Sequence, residues 1–256
     1  MKVTVIGCSG SYPGPEAPAS CYLVEADGVD ESGRIRTWRI LLDLGSGALG
    51  ELHNHADPLS IDAVFVSHLH ADHCLDLCGY YVLRKYHPLG AQPKIPVWGP
   101  VDTARRMAKA YDLDEDPGMN EEFDFLDYAG PVQIGPITIT PTQVVHPVTA
   151  YALRVEADGR VLVYSGDTGI CDSLVQAAEG AHVFIAEAAF RDADVNPPDI
   201  HLTGREAAMV ALKAGVERLV LTHIPAWHDK IIAVTEASEL WRGPLDLAAK
   251  GAVYEV

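Results

Sequence analysis

Short apolar runs, punctuated by glycine, proline or polar clusters, recur from one end of the chain to the other. The first, Val3-Thr4-Val5-Ile6, is rich in β-branched residues and predicts a strand. It feeds Gly7-Cys8-Ser9-Gly10-Ser11-Tyr12-Pro13-Gly14-Pro15. That loop lacks the G-x-x-x-x-G-K and G-x-G-x-x-G spacings of nucleotide cradles and reads as a turn able to line a pocket. The pattern next predicts strands over Ser20–Glu25 and Trp38–Asp43, joined in a long hairpin by the polar connection Asp30–Thr37. Ala48–Ala56 reads as a short helix stopped near Pro58. Its His53 and His55 point apart in helical geometry and belong to the surface. Ala63-Val64-Phe65-Val66 and Lys94–Trp98 are further strands, and Leu75–Tyr86 and Asp102–Tyr111 are helices. Asp112–Asp127 then carries eight carboxylates and no basic residue. A solvated connector is the reading, with an entrance segment the alternative.

The second half repeats the theme. Ile137–Val145 alternates like a strand, and Tyr151–Glu156 and Arg160–Tyr164 form a hairpin about Asp158-Gly159. His182–Ala186 and Arg218–Thr222 are strands. Between them the capping box Thr203-Gly204-Arg205-Glu206 opens a helix that ends near Gly215, with His201 two residues before the N-cap. Separate strands therefore deliver His68, His146, Asp167, Glu187 and His223 at their ends. In α/β architectures those ends are where sites are assembled. A scatter of structural histidines would not select strand ends so consistently; His87 and His182, by contrast, look structural.

The densest chemistry lies in Ser67-His68-Leu69-His70-Ala71-Asp72-His73, an H-x-H-x-D-H spacing directly after an apolar strand. In an extended loop His68 and His70 face the same side and can share one metal ion. Asp72 and His73 follow as the chain turns into a helix and can reach a second. Imidazole and carboxylate donors suit zinc, with iron or manganese the other candidates.

Composition narrows the picture. With 256 residues and 48% hydrophobic content, the chain can bury a large core as one domain, residues 1–256. No run reaches the roughly 18 apolar residues of a membrane span, and the start reads as a strand rather than a signal peptide. The five cysteines, Cys8, Cys21, Cys74, Cys78 and Cys171, form no C-x-x-C pair, which favours reduced thiols in a cytoplasm over a disulfide framework. Cys74 and Cys78 are expected in buried packing. The net charge of −17 disfavours long nucleic acids, which need a basic track. A small anionic substrate held by metal ions is compatible with it.

H-x-H-x-D-H, then the isolated His146, then Ser165-Gly166-Asp167-Thr168, then Thr222-His223 together resemble the metallo-β-lactamase superfamily over essentially the whole chain. The resemblance implies a four-layer αββα sandwich of two similar halves with the site along one edge. It implies one metal ion on His68, His70 and His146, a second on Asp72, His73 and His223, and Asp167 bridging both. Ala186-Glu187-Ala188-Ala189-Phe190 and His201-Leu202-Thr203 resemble motifs of ribonuclease Z and related phosphodiesterases, where the Glu and His stand beside the scissile phosphate. The long tRNA-binding arm that bacterial ribonuclease Z inserts between the isolated His and the bridging Asp is missing; a short hairpin fills that interval. Gly7–Ser11, His68–Leu77, Tyr164–Asp172 and Leu221–Pro225 resemble the actinobacterial metallo-β-lactamase-fold 3′,5′-cyclic-nucleotide phosphodiesterases.

The expectation is a dinuclear-metal hydrolase, with two Zn2+ ions or else Mn2+ or Fe2+. It would cleave the P–O3′ bond of a cyclic nucleotide, cyclic AMP foremost, to the 5′-monophosphate. A ribonuclease Z-like tRNA 3′-processing endonuclease, or another phosphodiesterase, is the alternative. Asp72 would orient the attacking water, and His201, aligned by Glu187, would protonate the departing oxygen. His228, shortly after His223, reads as an exposed loop residue, with contact to substrate the alternative. The family implies a homodimer; no stretch of sequence demands one.

Overall fold

Within Arg160–Tyr164, Leu162 and Tyr164 face one way and Val163 the other; Ile40-Leu41-Leu42 and Val183–Ala186 alternate in the same manner. Both faces of these strands are apolar, so each sheet must be covered on both sides. In the computed structural model, which describes residues 1–256, that requirement is met by two seven-stranded sheets packed face to face between helices. The first sheet runs, edge to edge, through Val253–Glu255, Lys2–Gly7, Cys21–Val29, Ile35–Leu42, Ala63–Phe65, Ile95–Gly99 and Phe123–Asp127. The second runs through Leu245–Leu247, Arg218–Thr222, Val183–Glu187, Arg160–Tyr164, Ala150–Ala157, Ile137–Val144 and Val132–Ile134. Each is mixed: hairpins pair antiparallel, while Ile35–Leu42 with Ala63–Phe65, and Arg160–Tyr164 through Val183–Glu187 to Arg218–Thr222, pair in parallel.

Three apolar layers hold the halves. Tyr22, Ile40, Leu42 and Phe65 meet Leu153, Leu162, Tyr164 and Ile185 between the sheets. Leu41, Val64 and Val66 pack outward on Leu77, Tyr80, Tyr81 and Met107. Val163, Phe184 and Leu221 pack outward on Leu174, Ala208 and Ala211. At about 25 cal/mol per Å² of apolar area removed from water, these layers supply the main stabilisation. The result is the expected αββα sandwich of two similar halves. No helix is long and apolar enough to cross a membrane.

Several boundaries differ from those the sequence predicts. The hairpin connection is not Asp30–Thr37: the strands pair as far as Val29 with Ile35, because the Asp30 carboxylate accepts from Ser32 N at 2.8 Å and Arg34 N at 3.0 Å and closes a tighter turn. The Asp158-Gly159 turn forms as read, both residues having positive φ, 54° and 71°. Helix begins earlier than Leu75, with one turn at Ala71–Cys74 and a second segment at Leu77–Lys85. The acidic stretch is not solvated throughout. Met119 and Phe123 are buried, Glu122 is buried beside Lys85 at 3.4 Å, and Phe123–Asp127 is an edge strand parallel to Ile95–Gly99. Of the two cysteines after the motif, Cys74 is buried but Cys78 only half so.

Candidate metal centre

The strand Ala63–Phe65 ends where Ser67 N donates to Asp43 Oδ1 at 2.6 Å and Ser67 Oγ to Asp43 Oδ2 at 2.8 Å, and this anchors the histidine loop. Asp43 closes its own strand in a left-handed conformation, φ 60°, which Asp tolerates better than most residues. Gly45 follows because a Cβ there would stand 1.9 Å from the Asp72 carbonyl oxygen. The loop and the turn Ala71–Cys74 thus lie tight against the end of the Ile35–Leu42 strand.

Three ligand-type clusters meet at Asp167. His68, His70, His146 and Asp167 place their donor atoms within 4.8 Å of one another, as do Asp72, His73, Asp167 and His223, and then Asp167, Glu187 and His201. In the first, His70 Nδ1 lies 3.0 Å from His68 Nε2 and 3.3 Å from His146 Nε2. In the second, His73 Nε2 is 3.2 Å from Asp167 Oδ1 and 3.4 Å from Asp72 Oδ2, and His223 Nε2 is 3.2 Å from Asp167 Oδ2. The structure therefore brings together all nine residues named as candidate ligands or acid–base groups.

The outward nitrogens are also held. His73 Nδ1 meets the Asp43 carboxylate at 2.7 Å, His223 Nδ1 meets Ser20 Oγ at 3.1 Å, His146 Nδ1 donates to Ile200 O at 2.8 Å, and Tyr164 Oη donates to Asp43 at 2.8 Å. Asp43, Ser20 and Tyr164 were not read as site residues. Their one sequence signal is a polar side chain at or beside the end of a buried strand. The glycine-rich loop also acquires a task. Ser9–Gly10 pairs with Ile224–Pro225, and a Cβ on Gly10 would lie 2.2 Å from the His223 carbonyl oxygen. His223 itself takes φ 56°.

Two features test the fit of a metal. His73 Nε2 and Asp167 Oδ1 are buried with no hydrogen-bond partner, a costly arrangement unless a cation stands between such atoms. Burial also lowers the proton affinity of His68, His70, His146 and His223, which favours the neutral imidazole that metals bind. At His73 burial pulls the same way, but Asp167 and Asp43 outweigh it and push the ring well above its ordinary range. The donors fit divalent ions that accept nitrogen and oxygen.

The Glu187–His201 pair completes the site. Glu187 Oε1 accepts from His201 Nδ1 at 2.8 Å and from Thr168 N at 2.9 Å, and Oε2 accepts from Ala189 N at 3.1 Å. His201 Nδ1 also lies 3.9 Å from Asp167 Oδ2. Burial disfavours the His201 imidazolium, but the Glu187 charge and hydrogen bond, with Asp167 behind them, carry its pKa up to about 9. The helix behind it starts at Thr203, whose capping box with Glu206 forms as read. The remaining histidines stand apart. His182 Nδ1 accepts from Val161 N at 3.1 Å, and His53 and His55 are exposed. His228 is half-buried rather than exposed, in a separate cleft with Ser9, Glu16 and Lys230.

This αββα frame, with its histidine and aspartate cluster on one edge, is that of a metal-dependent hydrolase, and the chain belongs to the metallo-β-lactamase superfamily. A family model described as a beta-lactamase superfamily domain matches residues 38–224. The chain is 43% identical over 264 residues to the uncharacterized protein Rv1339 of Mycobacterium tuberculosis, covering 100% of this chain and 92% of that one. It is 30% identical over 259 residues to the probable metallo-hydrolase YhfI of Bacillus subtilis, covering 100% of both. The YhfI crystal structure superposes with a TM-score of 0.83 at 27% identity, covering 99% of this chain and 98% of that one. Ribonuclease Z of Myxococcus xanthus is 28% identical over 313 residues, covering 100% of this chain and 98% of that protein.

Proposed function

We propose that this chain hydrolyses 3′,5′-cyclic nucleotides, cyclic AMP foremost, at the P–O3′ bond to give the 5′-monophosphate. The observation that carries this reading is the Glu187–His201 pair fixed beside Asp167, an acid–base group poised over the metal-type donors. A small substrate is supported by the tight hairpin Ala150–Ala157 to Arg160–Tyr164, which fills the interval between His146 and Asp167, and by the net charge of −17. The resemblance of Gly7–Ser11, His68–Leu77, Tyr164–Asp172 and Leu221–Pro225 to cyclic-nucleotide phosphodiesterases supports the substrate class.

Zn2+ is our choice for the ions, with Mn2+ or Fe2+ the other candidates. His68, His70 and His146 would hold one, Asp72, His73 and His223 the second, and Asp167 both; when bound, they acidify a shared water and offset phosphate charge. Asp72 turns Oδ2 toward His73 and His223, which leaves Oδ1 to accept a hydrogen bond from the attacking water and aim it. The His201 Nδ1–Glu187 bond commits that nitrogen, so Nε2 is the atom that gives its proton to O3′. As the water oxygen bonds to phosphorus, the P–O3′ bond breaks and the protonated O3′ leaves as a free hydroxyl. The backbone N–H groups of Thr168 and Ala189 keep the Glu187 carboxylate, and through it the ring, from turning.

Incubation with cyclic AMP, bis(p-nitrophenyl) phosphate and precursor tRNA side by side tests the reading. The expected product is 5′-AMP rather than 3′-AMP. Cleavage of the generic ester and of tRNA, with cyclic AMP untouched, would overturn it in favour of a ribonuclease Z-like tRNA 3′-processing endonuclease, the reading that similarity to the Myxococcus enzyme supports. In the same assay His201→Ala should lower kcat by about 10²–10⁴-fold with metal content retained. The proposal includes a homodimer, on the family resemblance, and a cytoplasmic setting, on five free cysteines. Light scattering in solution tests the first.

A further inference from the structure

Beside the histidine loop the surface opens into a cleft of about 440 Å³ whose lining includes Leu69, Val148 and Thr149, the cations Arg105, Arg106 and Lys109, and the carboxylates Asp102 and Glu115. Leu69 lies between His68 and His70, and Val148 and Thr149 follow closely on His146, so the cleft is lined from the same two loops that carry three of the metal-type donors. Its cations come from one helix, Thr103–Ala110, where positions three and four apart share a face. Arg105 is committed to Asp102 at 2.7 Å, whereas the side chains of Arg106 and Lys109 make no ion pair or hydrogen bond within the chain. Three cations and two carboxylates thus line a concave surface beside the loops of the metal centre, a local positive excess in a chain of net charge −17.

We propose that this cleft is a phosphate subsite, taking a second phosphate of a substrate whose scissile ester lies over the histidines. The inference rests on the metal-centre reading above and extends its substrate class to short linear phosphodiesters with a terminal phosphate. One compact patch suits such a ligand, whereas a long polyanion would need a continuous basic track. Charge-assisted bonds from Arg and Lys to phosphate supply the discrimination.

The test compares two dinucleotides that differ in a 5′-terminal phosphate, using the metal-loaded protein. Specificity is read as kcat/KM where they are cleaved, and as inhibition of bis(p-nitrophenyl) phosphate hydrolysis where they are not. The wild type should favour the phosphorylated form by roughly tenfold or more, the effect of about one charge-assisted contact. Arg106→Gln with Lys109→Gln should bring the ratio near one, and Arg106→Lys should retain most of it. Equal values in the wild type, or a preference that survives the double substitution, overturns the subsite. If the preference holds and cyclic AMP is inert, the subsite stands and the cyclic substrate falls. Turnover of cyclic AMP without the preference removes the subsite and leaves the cyclic substrate standing.

Discussion

The two candidate ligand triads, His73, His223 and Asp72 against His68, His70 and His146, use similar donors in unlike surroundings. His73 and His223 are 0% and 1% exposed, and Asp72 only 8%. In the other triad His68 is buried, but His70 and His146 are only partly so. The outward support differs in the same sense. A carboxylate, Asp43, backs His73 at 2.7 Å and Ser20 backs His223 at 3.1 Å. His146 has the neutral carbonyl of Ile200, His68 has the Ser67 hydroxyl at 3.1 Å, and His70, which turns Nδ1 inward to the other two rings, has no hydrogen bond on its outward Nε2. A carboxylate behind an imidazole fixes its tautomer and raises its basicity. The buried triad should therefore hold its ion more tightly, and the open triad should exchange its ion and meet substrate.

The largest effect expected comes from removing what the triads share. Asp167→Ala should lose both ions and fall to background activity, read by metal analysis and turnover together. One ion retained at full strength would mean that the triads are independent. Next, Asp43→Asn attacks the asymmetry itself. It should weaken the buried ion by about 10–100-fold in a competitive chelator titration. It should also cost about 1–3 kcal/mol in denaturant unfolding, as Ser67 and Tyr164 lose a charged acceptor. An unchanged affinity would make the difference between the triads a matter of burial alone. The smallest effect belongs to Ser20→Ala, about 0.5–1.5 kcal/mol of binding to the same ion. Graded chelation of the wild type should strip the open triad first, and simultaneous loss would erase the distinction.

The candidate ligands were legible because His68, His146, Asp167 and His223 follow apolar strands, and because His70, Asp72 and His73 complete the H-x-H-x-D-H spacing after the first of them. Glu187 was legible as the end of its strand, and His201 through the capping box that follows it. Asp43 was not, because a lone carboxylate after Trp38–Leu42 looks like an ordinary turn residue. Its partners Ser67, His73 and Tyr164 lie 24, 30 and 121 positions away. The edge strand Phe123–Asp127 was hidden by its own carboxylates, which an exposed edge tolerates but a sequence pattern reads as loop. The cleft at Arg106 and Lys109 could not be foreseen, since nothing in their spacing says that Leu69 and Val148 fold over beside them.

The Ser20–His223 bond joins residues 203 positions apart, one at the start of a strand in the first sheet and one just past a strand in the second. Closing so long a loop is entropically expensive and slow, and it succeeds only after the two sheets have docked. Cation uptake should then be among the last events of refolding, trailing the recovery of secondary structure. Once there, the ions bind the folded chain far better than the unfolded one and raise its stability by mass action.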